Sequence, residues 1–292
     1  MSCHSYAYGH KLLFNSSIIN PTQNTFLINP TINISLDDFP YHVDFQTNQE
    51  RTLYLCAKSD FRKESSLDEW IFVVEGVVSF ICDSKQKKIE YFEDLEYSDT
   101  LMEYWLIHIV LPMLLSLDRT YYFLHVGSVV VDNLGILFSG DSYAGKSTLT
   151  DFFLQKKHLL LSDDKLASYV KDDKFYVVAS HPYHRPYRKT EDLGIKEDNF
   201  CEREVPLDII YWLTPVAEDE KIEIEELKGL RKFEVLRYST EMDIYVNKKN
   251  RFEYITQLAN SIKVYELKVP HKKERLDEVY GTIIKHIKGR KS

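Results

Sequence analysis

The sequence predicts an α/β protein, a phosphate-loop core preceded by a β-rich N-terminal domain. Three observations carry this reading. Up to residue 97 the apolar residues fall in short, often alternating runs separated by Asn, Pro and Asp. Beyond residue 120 strand-like and helix-like patterns take turns. At one strand-to-helix junction stands "GDSYAGKS". The expected domains are 1–97 and 98–292.

In the first part, "TFLINPTINISL", "YHVDFQ" and "TLYLCAK" read as strands. "EWIFVVEGVVSFICDSKQKKIEYFED" reads as further strands, with a hairpin tip at "DSKQKK". The period then changes. "SDTLMEYWLIHIVLPMLLSL" has helical spacing, Ser98 or Asp99 can cap its start, and Pro112 is expected to kink or divide it. Its most apolar part, 104–117, is too short to span a bilayer and reads as a buried helix.

Strand and helix then alternate. "YFLHVGSVVVD" and "GILFS" are strands, "KSTLTDFFLQKK" a helix and "HLLLSDD" a strand. "KLASYVKDDKFYVVAS" is a strand pair and "PLDIIYWLTP" another strand. "KGLRKFEVLRYS" and "NRFEYITQLANSI" are helices, followed by the strand "KVYELKVP" and a last helix in "KERLDEVYGTIIKHIKG".

Composition narrows the function classes. The 292 residues carry a formal charge of -8, which argues against a nucleic-acid partner held by bulk electrostatics. Cys3, Cys56, Cys82 and Cys201 are scattered, none at metal-ligand spacing, as expected of idle thiols in a reducing cytoplasm. The N-terminal stretch lacks the basic start and apolar core of a signal peptide, and no membrane association is expected.

Gly140-Asp141-Ser142-Tyr143-Ala144-Gly145-Lys146-Ser147 fits G-x-x-x-x-G-K-[ST], the Walker A pattern. Glycines let the loop take positive φ and approach a ligand closely. Successive N–H groups and the start of the following helix then favour anionic oxygens. On this logic the loop, with Thr148 on the first helical turn, binds the phosphates of ATP. Lys146 would reach the β- and γ-phosphates and the Ser147 hydroxyl would ligate Mg2+.

Asp163 and Asp164 end an apolar strand one helix later, where the carboxyl ends of α/β strands face a ligand crevice. One carboxylate there can hold magnesium. The other, made more basic by its neighbour, can accept a proton from an attacking hydroxyl. His125, on the strand before the loop, is either a core residue or a partner of these acids. The stretch "SHPYHRPYRK" has two readings, a solvated loop or a substrate loop in which Arg185 or Arg188 meets a phosphate or an acidic peptide. Pro182 and Pro186 break any helix that would align His181 with His184, so a metal site is not expected from these alone.

The ordered set His125, Gly140-Asp141-Ser142, Gly145-Lys146-Ser147 and Asp163-Asp164 resembles the catalytic domain of HPr kinase/phosphorylase and its kinase-like relatives, a core related to ATP-dependent PEP carboxykinase. The similarity is strongest over residues 124–170. It implies that Asp163 is the base toward a substrate hydroxyl, that Asp164 lies nearer the metal, and that His125 supports them. It also raises the expectation of a homo-oligomer. Two departures redirect the acceptor. Thr148 stands where HPr kinases usually have Glu, and "SHPYHRPYRKTEDLG" replaces their Arg-Gly-rich signature. The resemblance therefore implies a serine on another peptide or protein, as in the HPr-kinase-related serine kinases, some of which modify lasso-peptide precursors. A small-molecule kinase of the same fold and a non-catalytic nucleotide sensor share these features.

Overall fold

The structure, a computed structural model, describes residues 4–16, 22, 24–46, 51–60, 67–187, 189, 191–240 and 248–290. The fold is mixed α/β. It divides into two compact units, Met1–Tyr122 with Tyr187–Gly194 and Met242–Arg251, and Phe123–Pro186 with Ile195–Glu241 and Phe252–Ser292.

The first unit is built on an eight-stranded sheet. Its strands are β1 (His4–Ala7), β2 (His10–Phe14), β3 (Thr25–Pro30), β4 (Tyr41–Gln46), β5 (Thr52–Ala57), β6 (Glu69–Val74), β7 (Val78–Asp83) and β8 (Lys88–Glu93), in the order β1-β2-β3-β8-β7-β6-β5-β4. In β7, Val78, Phe80 and Cys82 are buried while Ser79, Ile81 and Asp83 are less so, the alternation of a strand with one covered face. The hairpin β7–β8 turns at the expected tip.

The expected helix forms, with Ser98 capping it through the Leu101 N–H (3.3 Å). It runs as α1 (Asp99–Trp105), a π-helical turn (Leu106–Val110) and α2 (Leu111–Leu117). Pro112 falls in the first turn of α2, directly after the wider turn, in which the Leu111 N–H donates to the Leu106 carbonyl. By length and composition Asp99–Leu117 could cross a membrane, yet 67% of it is buried inside the fold.

The helix packs within the first unit, so the units divide at Tyr122 and Phe123 instead of at 97 and 98. Tyr8 Oη donates to the Ile107 carbonyl (3.0 Å), and Trp105, Leu106, Val110, Leu111 and Leu114 are buried. Arg51 ties Glu191 into this unit (3.0 Å), and Trp105 Nε1 donates to the same carboxylate (3.1 Å).

The second unit holds a nine-stranded mixed sheet whose main path runs β12-β10-β11-β17-β14-β13-β9. The strands are β9 (Tyr122–His125), β10 (Gly127–Val131), β11 (Leu134–Ser139), β12 (Leu159–Ser162), β13 (Lys165–Lys171), β14 (Lys174–Val178), β17 (Val205–Val216), β18 (Ile224–Glu226) and β19 (Lys263–Pro270). A two-stranded ribbon, β15 (Tyr183–His184) with β16 (Ile195–Lys196), stands beside it. The single strand expected over "YFLHVGSVVVD" is broken at Val126, whose N–H donates to the Asp164 carbonyl (3.0 Å).

The helices of this unit are α3 (Lys146–Gln155), α4 (Gly229–Ser239), α5 (Lys248–Ser261) from Phe252 onward, and α6 (Leu276–Gly289). Leu149 and Phe153 of α3 and Val279, Ile283 and Ile287 of α6 pack on Val129, Ile136, Phe138, Ile209, Tyr211 and Leu267 in one apolar core. Gly127 admits α3 to the sheet. A Cβ there would lie 2.2 Å from Thr150 Oγ1 and 3.1 Å from the Lys146 carbonyl.

Candidate functional site

Strand direction assembles the site. β10 is antiparallel to both β11 and β12, so those two run the same way, and β17 is parallel to β11. The carboxyl ends of β11 and β12 therefore share one sheet edge with the start of β10. That edge carries residues 140–147, Asp163, Asp164 and His125.

The loop leads directly into α3. Gly145 has φ 98°, a left-handed conformation that suits glycine and turns the chain into the helix. Ala144 and Lys146 are buried, Asp141, Ser142, Tyr143 and Thr148 are exposed, and Gly140 closes the end of β11. Lys146 Nζ donates to the Gly140 carbonyl (2.8 Å) and the Asp141 carbonyl (3.1 Å), so its charge is held against the loop it follows.

The two aspartates are fixed differently. The Arg185 N–H donates to Asp163 Oδ2 (3.0 Å), and the Arg185 guanidinium donates to Asp164 Oδ2 (2.6 Å). His125 Nδ1 lies 3.1 Å from Asp164 Oδ1. Asp163 Oδ1 is buried and takes no hydrogen bond of good geometry. Burial pushes the Asp163 carboxyl above the usual carboxylate range, against the opposing pull of His184, the Arg185 amide and the Ser147 hydroxyl. Burial acts in the same sense on Asp164, but the His125 hydrogen bond and the charges of Arg185 and Lys165 outweigh it and hold that carboxyl well below its usual range. Adjacent acids are thus pushed apart, one toward holding a proton and one toward permanent charge.

Arg185 therefore stands at the acids, whereas Arg188 lies outside the described residues. The segment around Arg185 is not a solvated loop in its first half. Ser180, His181 and His184 are buried, and only at Tyr187 does exposure reach 83%. Burial drives His181 down to about 3, so its ring is neutral.

His184 is a site neighbour that the sequence did not reveal. Its Nε2 lies 3.6 Å from Asp163 Oδ2, and its Nδ1 lies 3.8 Å from Glu197 and 4.0 Å from Asp151. The sequence offers it only as a spacing partner of His181, set aside because of Pro182 and Pro186, and as a neighbour of Arg185. The pairing of β15 with β16, which brings in Glu197, is a contact that no local pattern announces.

These residues fit a hard cation. The Ser147 hydroxyl lies beside Asp163, which has one buried oxygen still to be satisfied. Both Asp164 oxygens are already engaged by His125 and Arg185, so a cation at Asp164 would have to share or displace one of them. Among the described residues no group of three or more His, Cys, Asp or Glu is arranged to hold a metal. A cation here would need phosphate and water oxygens to complete its shell, the habit of magnesium.

Neither protein-family descriptions nor curated proteins match this chain. Among solved structures, the HPr(Ser) kinase/phosphatase from Coxiella burnetii is similar at 13% identity with a TM-score of 0.36, covering 57% of this chain and 98% of that one.

Proposed function

We propose that the chain is an ATP-dependent phosphotransferase of the HPr-kinase-like kind, and that it moves the γ-phosphoryl group to a serine hydroxyl of a peptide or protein. The observation that carries this reading is the shared sheet edge. A glycine-bounded loop opening a helix faces two adjacent carboxylates held in opposite protonation tendencies.

The loop amides and the start of α3 cradle the phosphates, and Lys146 exchanges its loop carbonyls for phosphate oxygens. Asp163 orients the acceptor hydroxyl and takes its proton, because its carboxyl is buried, raised and has an uncommitted oxygen. Asp164 stays ionised between His125 and Arg185 and keeps both in place. Magnesium would be held by Ser147 and by Asp164, which would share one oxygen between the ion and His125 or Arg185, and it would neutralise charge developing on the phosphate oxygens. Arg185 is the cation best placed to meet the transferred group. A cytoplasmic setting goes with this reading, since Cys56, Cys82 and Cys201 are free and buried.

The test is incubation with γ-labelled ATP, magnesium and a library of serine peptides, beside a panel of hydroxylated metabolites. Transfer to peptides is expected, and Asp163→Asn is expected to lower it by about 10²–10⁴-fold while ATP still binds. Transfer only to metabolites would reassign the acceptor. ATP binding with no transfer to any acceptor would leave a nucleotide sensor in place of a kinase.

A further inference from the structure

A cavity of about 220 Å³ opens beside the loop, on the side away from the aspartates' strand. Its walls are Tyr143, Leu149, Pro215, Val269, Pro270 and Leu276, and Ala144 and Gly145 of the loop border it directly. The sheet makes it. β17 and β19 run parallel and end together, with Pro215 opposite Val269 and Val216 opposite Pro270. Beyond them the chain crosses a 3-10 turn (Lys273–Arg275) into α6, whose first residue, Leu276, closes the far side.

We infer that this cavity takes the nucleoside end of the nucleotide whose phosphates lie on the loop, and that it holds the base by apolar contact without reading its edges. The inference rests on the phosphate-loop reading and extends it to nucleotide selectivity. Continuity is the first argument, because a ligand on the 140–147 amides meets this cavity through Ala144 and Gly145. Size is the second, since the space suits a flat base better than a whole drug-sized ligand. The third is the lack of main-chain donors along one wall. Pro215 and Pro270 have no N–H. The His271 N–H is given to the Val216 carbonyl (3.1 Å) and the Lys272 N–H to the Pro270 carbonyl (2.7 Å).

The polar side chains of the lining are exposed: Thr148 on the first turn of α3, and His271, Lys272 and Lys273 at the opposite rim, with Lys272 Nζ 3.3 Å from a Glu218 carboxylate. Tyr143, 89% exposed, stands at the mouth and offers a ring face for stacking. A pocket that grips by shape does not strongly reject a base differing only in its edge groups.

The experiment is titration calorimetry of the full chain with magnesium and, in turn, ATP, GTP and inorganic tripolyphosphate. It is repeated on Leu276→Trp, which fills the cavity, and on Tyr143→Ala, whose exposed position leaves folding intact. ATP and GTP are expected to bind within about fivefold of each other, and about tenfold or more tighter than tripolyphosphate. Leu276→Trp is expected to weaken both nucleotides about tenfold and leave tripolyphosphate within about twofold. Tyr143→Ala is expected to weaken both nucleotides severalfold. Equal binding of ATP and tripolyphosphate, with neither substitution mattering, overturns the cavity assignment but leaves the phosphate loop standing. ATP binding with GTP excluded overturns the unselective grip. Failure of all three to bind overturns the loop reading and this one with it.

Discussion

The carboxyl groups of Asp163 and Asp164 sit one peptide apart. Burial governs the first, and neighbouring cations govern the second. The folded protein keeps the Asp163 proton to a higher pH than the unfolded chain does. Between the unfolded and folded values the native state therefore holds more protons, and stability falls as pH rises through that window. The loss persists at neutral pH. Asp163→Asn removes it, so the variant is expected to melt above the parent at pH 7 and to converge with it below the carboxylate range. Thermal midpoints of both proteins across acidic and neutral pH measure this, and a parent that tracks its variant at every pH would refute the raised carboxyl. The residues of this site were legible where a motif fixes spacing, as with Lys146, Ser147 and the aspartate pair. His125 was open between core and site until the break at Val126 set it against Asp164. His184 was out of reach because its partners come from α3, from the turn after β12 and from the segment after β16. Sequence periodicity reports none of these meetings.

At the scale of elements, the approach of α3 to β10 decides where the loop points. Thr150 Oγ1 donates back to the Lys146 carbonyl (3.0 Å), and Gly127 faces that same turn. Gly127→Ala would place a methyl carbon inside this contact, so the start of α3 must lift or the strand must shift. Such overpacking costs about 1–3 kcal/mol, and it also moves the amides of the first turn. The variant is expected to lose that much stability in urea unfolding and to bind ATP more weakly. A variant as stable and as competent as its parent would mean that the helix does not lean on Gly127. Most elements could be read in advance because alternation and helical spacing are local properties. The break at Val126 could not, because its partner is distant in sequence: its N–H finds its acceptor at Asp164.

For the whole molecule, composition hid the boundary. The change from strand period to helix period at Ser98 marks a change of element, and the unit ends only after that helix is covered. Trp105, Leu106, Ile107, Val110, Leu111, Leu114 and Leu115 are each at most 2% exposed, and the contacts that cover them include Tyr8. A fragment 98–292 would carry this apolar helix without the strands of the first unit. A fragment 123–292 would omit it. Burying such side chains is worth about 1.5–3 kcal/mol each, and bare apolar patches of that extent associate. The 98–292 fragment is therefore expected to elute as aggregates on size exclusion, with strong light scattering. The 123–292 fragment should scatter less, though it loses the Arg51 and Trp105 contacts to Glu191. The comparison needs both fragments at one concentration, with the full chain as reference. A monodisperse 98–292 fragment beside an aggregating 123–292 fragment would return the helix to the second unit and restore the boundary read from the change in period.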